Sequence, residues 1–298
     1  MGCCVRVPRH TPRSTDTSLS LASIAAAAFL LFLLLAPAAA LIVAVARSPM
    51  NPLQFVLWCL ALALCKFLWR TRWLNELPLA ENQGGIIVCN HCSSVDPFFI
   101  QTATTRKTHW LVAREYCEHW AFRWFLSACE VIPVNRGGID TAATKAAIRL
   151  AARGGIVGML PEGRINMSEA FMLPVRPGAA LIALKAGVPL VPCYIRGAPY
   201  RRYPWSPLLM PARVEVRFGN PLEVSTFRDP EGEEGAAEEI TRRVVKAIAE
   251  LAGHPDFQPQ IAGRSWKPTK SELDAAIAAK ERRDAVARDQ ESATRGQD

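Results

Sequence analysis

Apolar residues crowd the front of this chain. From Leu21 to Ala46 there are 26 residues without a charge, with Phe29-Leu30-Leu31-Phe32-Leu33-Leu34-Leu35 at the centre. A helix of about 20 such residues crosses the hydrocarbon core of a bilayer, and Pro37 is tolerable there as a kink. A second apolar run, Leu53 to Trp69, follows the link Arg47-Ser48-Pro49-Met50-Asn51-Pro52. Lys66 stands near its end, where the side chain can snorkel. Arg70 and Arg72 come next, with Trp58, Trp69 and Trp73 as interface anchors. The pattern predicts an N-terminal membrane helix or helical hairpin. Arginines outside both ends put both ends in the cytoplasm under the positive-inside rule. The shortness of the second run leaves open whether it spans the bilayer or lies at the interface. A signal peptide competes for the first run, because Arg6, Arg9 and Arg13 precede it, but the apolar stretch is long for that purpose.

Beyond Trp73 the pattern turns globular. Strand-like runs occur at Gly85–Cys89, Trp110–Ala113, Val131–Val134, Gly155–Leu160, Val188–Ile195 and Arg213–Phe218. Helical patterns lie between several of them. Thr141 to Arg153 starts after Asp140 and stops at Gly154-Gly155. Gly178 to Ala186 is closed by Gly187, and Glu238 to Ala252 lines up Ile240, Val244, Val245, Ile248 and Leu251 on one face. The alternation predicts an α/β layered domain with a central sheet flanked by helices. The domain plan is a basic N-terminal segment (1–20), membrane-anchoring helices (21–75), a catalytic domain (76–262) and a charged C-terminal tail (263–298). The acidic run from Asp229 to Glu239 reads as a solvated loop and a helix start, where the dipole favours carboxylates.

The net charge of +8 is dispersed rather than blocked, and no nucleic-acid-binding signature accompanies it. Contact with an anionic membrane surface accounts for it better. The nine cysteines are irregularly spaced, which argues against a disulfide framework and for a reducing setting. Cys89 and Cys92 form a lone C-x-x-C, without a second ligand pair at zinc-site spacing, so no metal or other cofactor is expected. His10, His109, His119 and His254 belong to no constellation.

Chemistry concentrates at strand ends, where α/β domains keep their sites. The run Asn90-His91-Cys92-Ser93-Ser94-Val95-Asp96 sets a histidine and a carboxylate five residues apart, just past an apolar strand. A carboxylate that fixes the ring's tautomer makes His91 a general base near neutral pH. No G-x-S-x-G elbow occurs, so the base must activate a substrate hydroxyl or a water. In Val131-Ile132-Pro133-Val134-Asn135-Arg136-Gly137-Gly138, an arginine follows a strand beside two glycines, a setting suited to phosphate or to a plain surface turn. In Gly158-Met159-Leu160-Pro161-Glu162-Gly163-Arg164, Glu162 can bond a substrate hydroxyl or hold an arginine, and Gly163 permits close backbone approach. In Val188-Pro189-Leu190-Val191-Pro192-Cys193-Tyr194-Ile195, two prolines predict an edge or boundary strand with a structural role. The loop from Arg196 to Pro211 mixes Arg201 and Arg202 with Tyr200, Tyr203 and Trp205, a composition that fits a membrane interface or an ordinary exposed loop.

In this order and spacing the four motifs resemble the glycerolipid acyltransferases of the PlsC type (the 1-acylglycerol-3-phosphate acyltransferase family), over roughly Leu77 to Pro221. The resemblance implies acyl transfer without a covalent enzyme intermediate. His91 would take the proton from a lysophospholipid hydroxyl, which attacks an acyl thioester, acyl-CoA or acyl-ACP. Asp96 would orient His91, while Arg136, Glu162, Gly163 and Arg164 would hold the acceptor. It also implies a membrane location with the catalytic domain facing the cytoplasm, and the bilayer, the lysophospholipid and acyl-CoA or acyl carrier protein as partners. Two departures stand out. Leu160 occupies the usual phenylalanine position, and no threonine separates Gly163 from Arg164. These put the phosphate role of Arg164 and the choice of 1-acyl-glycerol-3-phosphate in question. Three alternatives stay open: another lysolipid acceptor, such as a lyso-aminolipid; hydrolysis of the thioester by a His91-activated water; and lipid binding without catalysis, which the intact His91/Asp96 pair disfavours.

Overall fold

The computed structural model describes residues 21–135, 140–227 and 233–263, with isolated positions further on. The basic segment 1–20, Arg136 and most of the tail 263–298 lie outside the described residues. The chain divides into two compact units, Met1–Ser48 and Pro49–Asp298. The first contains α1 (Leu21–Arg47), an apolar helix with Pro37 inside it. Its stretch Ile24–Ala46 is long and apolar enough to cross a membrane.

The second unit starts with α2 (Pro52–Ala63), which runs into a π-helical turn, Leu64–Leu68. The Asn51 side chain accepts from the Gln54 amide, and Gln54 reaches back to Asn51, a reciprocal cap that fixes where α2 begins. The sequence grouped this run with the membrane anchor. In the structure it is tied to the globular unit: Gln54 donates to Ala128 O and to Glu130 (both 2.8 Å), and Trp58 donates to Gln101 O. Leu53, Val56, Leu60 and Phe67 stay exposed along it.

A seven-stranded mixed sheet follows, in the order β1-β7-β6-β2-β5-β3-β4. The strands are β1 (Arg72–Trp73), β2 (Gly85–Cys89), β3 (Thr108–Ala113), β4 (Ile132–Val134), β5 (Ile156–Met159), β6 (Leu190–Arg196) and β7 (Glu215–Phe218). The five strands β6, β2, β5, β3 and β4 run parallel, and β7 is antiparallel to β6. Every residue of β2 is buried, as a strand covered on both faces requires. On one face α6 (Thr141–Ala152), α7 (Gly178–Ala186) and α8 (Glu233–Leu251) bury Ala147, Ala151, Ala180, Ile182, Ile240, Val244 and Ile248 against Ile86, Val88 and Val157. On the other, Cys65 and Trp69, with Phe99 and Ile100 of α3 (Asp96–Gln101), cover Ile87, Cys89, Val191 and Ile195. Two short helices, α4 (Arg114–Glu118) and α5 (Arg123–Ala128), follow β3.

Pro192 corrects one expectation. β6 is an interior strand, not an edge, lying between β2 and β7. The proline is accommodated where the antiparallel ladder to β7 lapses. The Gly219 amide donates to Pro192 O at 2.8 Å, and pairing resumes at Leu190 with Leu222. A Cβ on Gly219 would stand 2.7 Å from the Pro192 ring.

Candidate active site

Parallel strands deliver their carboxyl ends to one edge of the sheet. All the sequence motifs follow such ends: His91 after β2, Glu162 after β5, Asn135 after β4 and the 197–205 loop after β6. Asn90 anchors the edge. Its side chain accepts from the Ile195 amide (2.8 Å) and donates to the Ile195 carbonyl (2.9 Å), so it stitches the end of β2 to β6. This amide clamp was not among the candidate residues, although Asn90 stands in the same motif.

Past Asn90 the chain turns sharply around a buried carboxylate. Asp96 Oδ2 accepts the amides of Cys92 and Ser93, both at 2.8 Å, and lies 3.0 Å from His91 Nδ1. Its side chain is fully buried, whereas that of His91 keeps 15% exposure. The Nδ1 contact leaves Nε2 as the ring nitrogen that can take a proton from outside. Neighbouring hydroxyls are committed elsewhere. Ser93 Oγ donates to Pro199 O and Ser94 Oγ to Pro204 O, each at 2.6 Å. These two bonds tie the His-Asp turn to the loop after β6. A base-and-orienter pair beside serines bonded to carbonyls is arranged to activate an external hydroxyl.

Glu162 lies against the His91 backbone. Its carboxylate is buried, with Oε1 accepting the His91 amide at 2.7 Å and Oε2 the Leu173 amide at 2.8 Å. Both oxygens are thus spent on backbone, rather than presented to an acceptor. Burial pushes its carboxyl up to about 8, against the pull of the Leu173 and His91 amides; Asp96 adds to the rise and Arg164 opposes it. The partnership with Leu173 carries no sequence signal, because any residue but proline offers the same backbone amide. Gly163 adopts a left-handed φ of +69° and donates its amide to Leu160 O, closing the turn. Arg164 is half-buried. The His91 carbonyl accepts the Asn166 amide at 2.7 Å, so the segment after β5 grips His91 backbone on both sides. Arg136 lies outside the described residues. The preceding Asn135 is held by Asp140, which accepts its amide at 3.0 Å and caps α6 through Ala143, and by Arg114, which donates to its side chain. Among the described residues, no three His, Cys, Asp or Glu side chains converge as a ligand set for a metal.

Residues 70–196, which hold the parallel strands and the His-Asp turn, match the family model described as Acyltransferase. The chain is 25% identical over 183 residues to the 1-acyl-sn-glycerol-3-phosphate acyltransferase of Bacillus subtilis (strain 168), spanning 61% of this chain and 88% of that protein. It is 27% identical over 164 residues to the 1-acyl-sn-glycerol-3-phosphate acyltransferase of Streptococcus pneumoniae (strain ATCC BAA-255 / R6), covering 54% of this chain and 59% of that protein. The crystal structure of the 1-acyl-sn-glycerophosphate (LPA) acyltransferase PlsC from Thermotoga maritima aligns with a TM-score of 0.47 and 21% identity, over 61% of this chain and 72% of that one. Residues 70–196 thus match an acyltransferase domain, the chain is similar to 1-acyl-sn-glycerol-3-phosphate acyltransferases, and it is an O-acyltransferase.

Proposed function

We propose that this enzyme moves a fatty acyl group from an acyl thioester, acyl-CoA or acyl-ACP, to the free hydroxyl of a lysophospholipid, 1-acyl-glycerol-3-phosphate first among them. The observation that carries the reading is the His91 Nδ1 to Asp96 Oδ2 contact of 3.0 Å, with the carboxylate wholly buried and the ring partly open. In this mechanism His91 Nε2 takes the hydroxyl proton as the oxygen attacks the thioester carbonyl. The thiolate then leaves and recovers a proton from His91. Asp96 keeps the tautomer with Nδ1–H and stabilises the transient imidazolium. Holding acceptor and thioester together supplies much of the acceleration. Arg136 binds the acceptor's phosphate. The names of the two curated relatives support the acceptor.

We place the enzyme on a membrane, with its catalytic unit on the cytoplasmic side. The apolar α1 supports membrane attachment, and the arginines flanking the apolar runs support the orientation.

The test is His91→Ala, assayed with labelled acyl thioester and 1-acyl-glycerol-3-phosphate in native membranes. Transfer should fall at least about 1000-fold, while the protein stays in the membrane fraction. Near-normal transfer would refute the mechanism. Thioester loss without acceptor dependence would indicate a hydrolase, and activity confined to another lysolipid would change the acceptor alone.

A further inference from the structure

Glu162 is a buried ionisable group that the proposed chemistry leaves without a task. A buried carboxyl group is costly unless it is hydrogen-bonded. This one has two backbone partners from separate segments, at 2.7 and 2.8 Å. One partner is the amide of His91 itself. The other is the amide of Leu173, in a segment held in turn from the far side. The Val175 amide donates to Gln260 O and the Ala262 amide to Val175 O, both at 2.8 Å, in a short bridge between Val175 and Ile261. The carboxylate thus links the backbone of His91 to a support that reaches the strap after α8.

We propose that Glu162 is a positioning residue: it holds the His91 main chain at the height from which the imidazole meets the acceptor hydroxyl, and it does not touch the acceptor. This rests on the reading of His91 as the base. Two features beyond the contacts support it. The side chain is only 4% exposed. The adjoining turn is closed internally by Gly163 N–H to Leu160 O, so the strand end that presents Glu162 is itself fixed. The charged groups acting on Glu162 are Asp96, from the His91 turn, and Arg164, from its own segment.

A positioning role and an acceptor-binding role separate in kinetics. Glu162→Gln keeps one acceptor oxygen but turns an NH2 toward the second amide. Glu162→Ala loses both contacts. In full-length enzyme, with labelled thioester and graded 1-acyl-glycerol-3-phosphate, kcat should fall about 10-fold for Glu162→Gln and about 100-fold for Glu162→Ala, as one and then both backbone contacts are lost. KM for the acceptor should stay within about twofold. Leu173→Pro removes the second donor and leaves Glu162 in place. The following Pro174 already confines residue 173 to extended backbone, which suits a proline. This variant should lower kcat in the same way, with KM again unchanged. A raised acceptor KM with preserved kcat in the Glu162 variants would overturn the proposal, as would wild-type kcat in any folded variant of the three. His91→Ala, run alongside, separates the two readings. If it retains activity, the base assignment fails, and the Glu162 kinetics report on the acceptor site alone.

Discussion

At the residue scale the site is a study in where carboxylates end up. Asp96 and Glu162 are both buried beside His91, yet they face different parts of it, one the ring and the other the backbone amide. Their difference follows from their supports. Asp96 begins α3 and gathers the amides of its own turn, as acidic side chains do at helix starts, whereas Glu162 bridges two segments. The raised carboxyl of Glu162 has a consequence for stability. Its folded value of about 8 stands above the ordinary 4.5, so the folded chain keeps a proton that the unfolded chain releases. The stabilisation from that proton is complete below about pH 4.5 and is lost as pH rises through about 8. Urea unfolding at pH 5, 6.5 and 8 should show the wild type losing more stability across that window than Glu162→Gln. Equal losses would mean that Glu162 titrates normally.

Elements in this fold meet at positions where a side chain has no room. Gly158 of β5 lies in register with Trp110 of β3, and a Cβ there would come within 2.7 Å of three indole atoms. Trp110 is buried in the same core cluster as Ile100 and Ile156, which limits the room for its ring to yield. Gly158→Ala should destabilise the chain by about 1–3 kcal/mol, the usual cost of overpacking, as a lower urea midpoint with unchanged slope. A change under about 0.5 kcal/mol would mean the sheet adjusts freely. Because β5 leads straight into Leu160 and Glu162, transfer activity should fall with the stability.

Within the globular unit, several exposed aromatic residues follow the strands whose carboxyl ends form the site's edge. Trp120 and Trp124, at α4 and α5 after β3, are 84% and 60% exposed; Trp205 and Leu209, after β6, are 53% and 81% exposed. Tyr203 and Trp205 stack at 5.1 Å. Burial raises the Tyr200 phenol, and Tyr116 of α4 adds to the rise. Arg123, Arg201 and Arg202 are exposed among these rings, a mixture suited to a headgroup layer. On the proposed membrane reading, Trp120, Trp124, Trp205 and Leu209 all changed to Ser should cut transfer to a bilayer-embedded acceptor about 10-fold or more, at roughly ~0.8 kcal/mol per buried methylene. Transfer to a water-soluble short-chain acceptor should be unchanged. Equal loss on both acceptors would assign these residues to folding instead.

Much of this was written along the chain. The apolar run of α1, the six strands β2 to β7 and the helices α6 and α7 follow from local periodicity and from Gly and Asp at their ends, because those signals act within a few residues. The pairing of His91 with Asp96 was legible for the same reason, since five residues span a single turn. The tertiary structure alone decided the rest. It joined α2 to the globular unit through Gln54, set Pro192 inside the sheet because Gly219 makes room for its ring, and set the Glu162 carboxyl against the His91 and Leu173 amides. Each depends on partners more than ten residues away, and two of them on backbone groups that every amino acid shares.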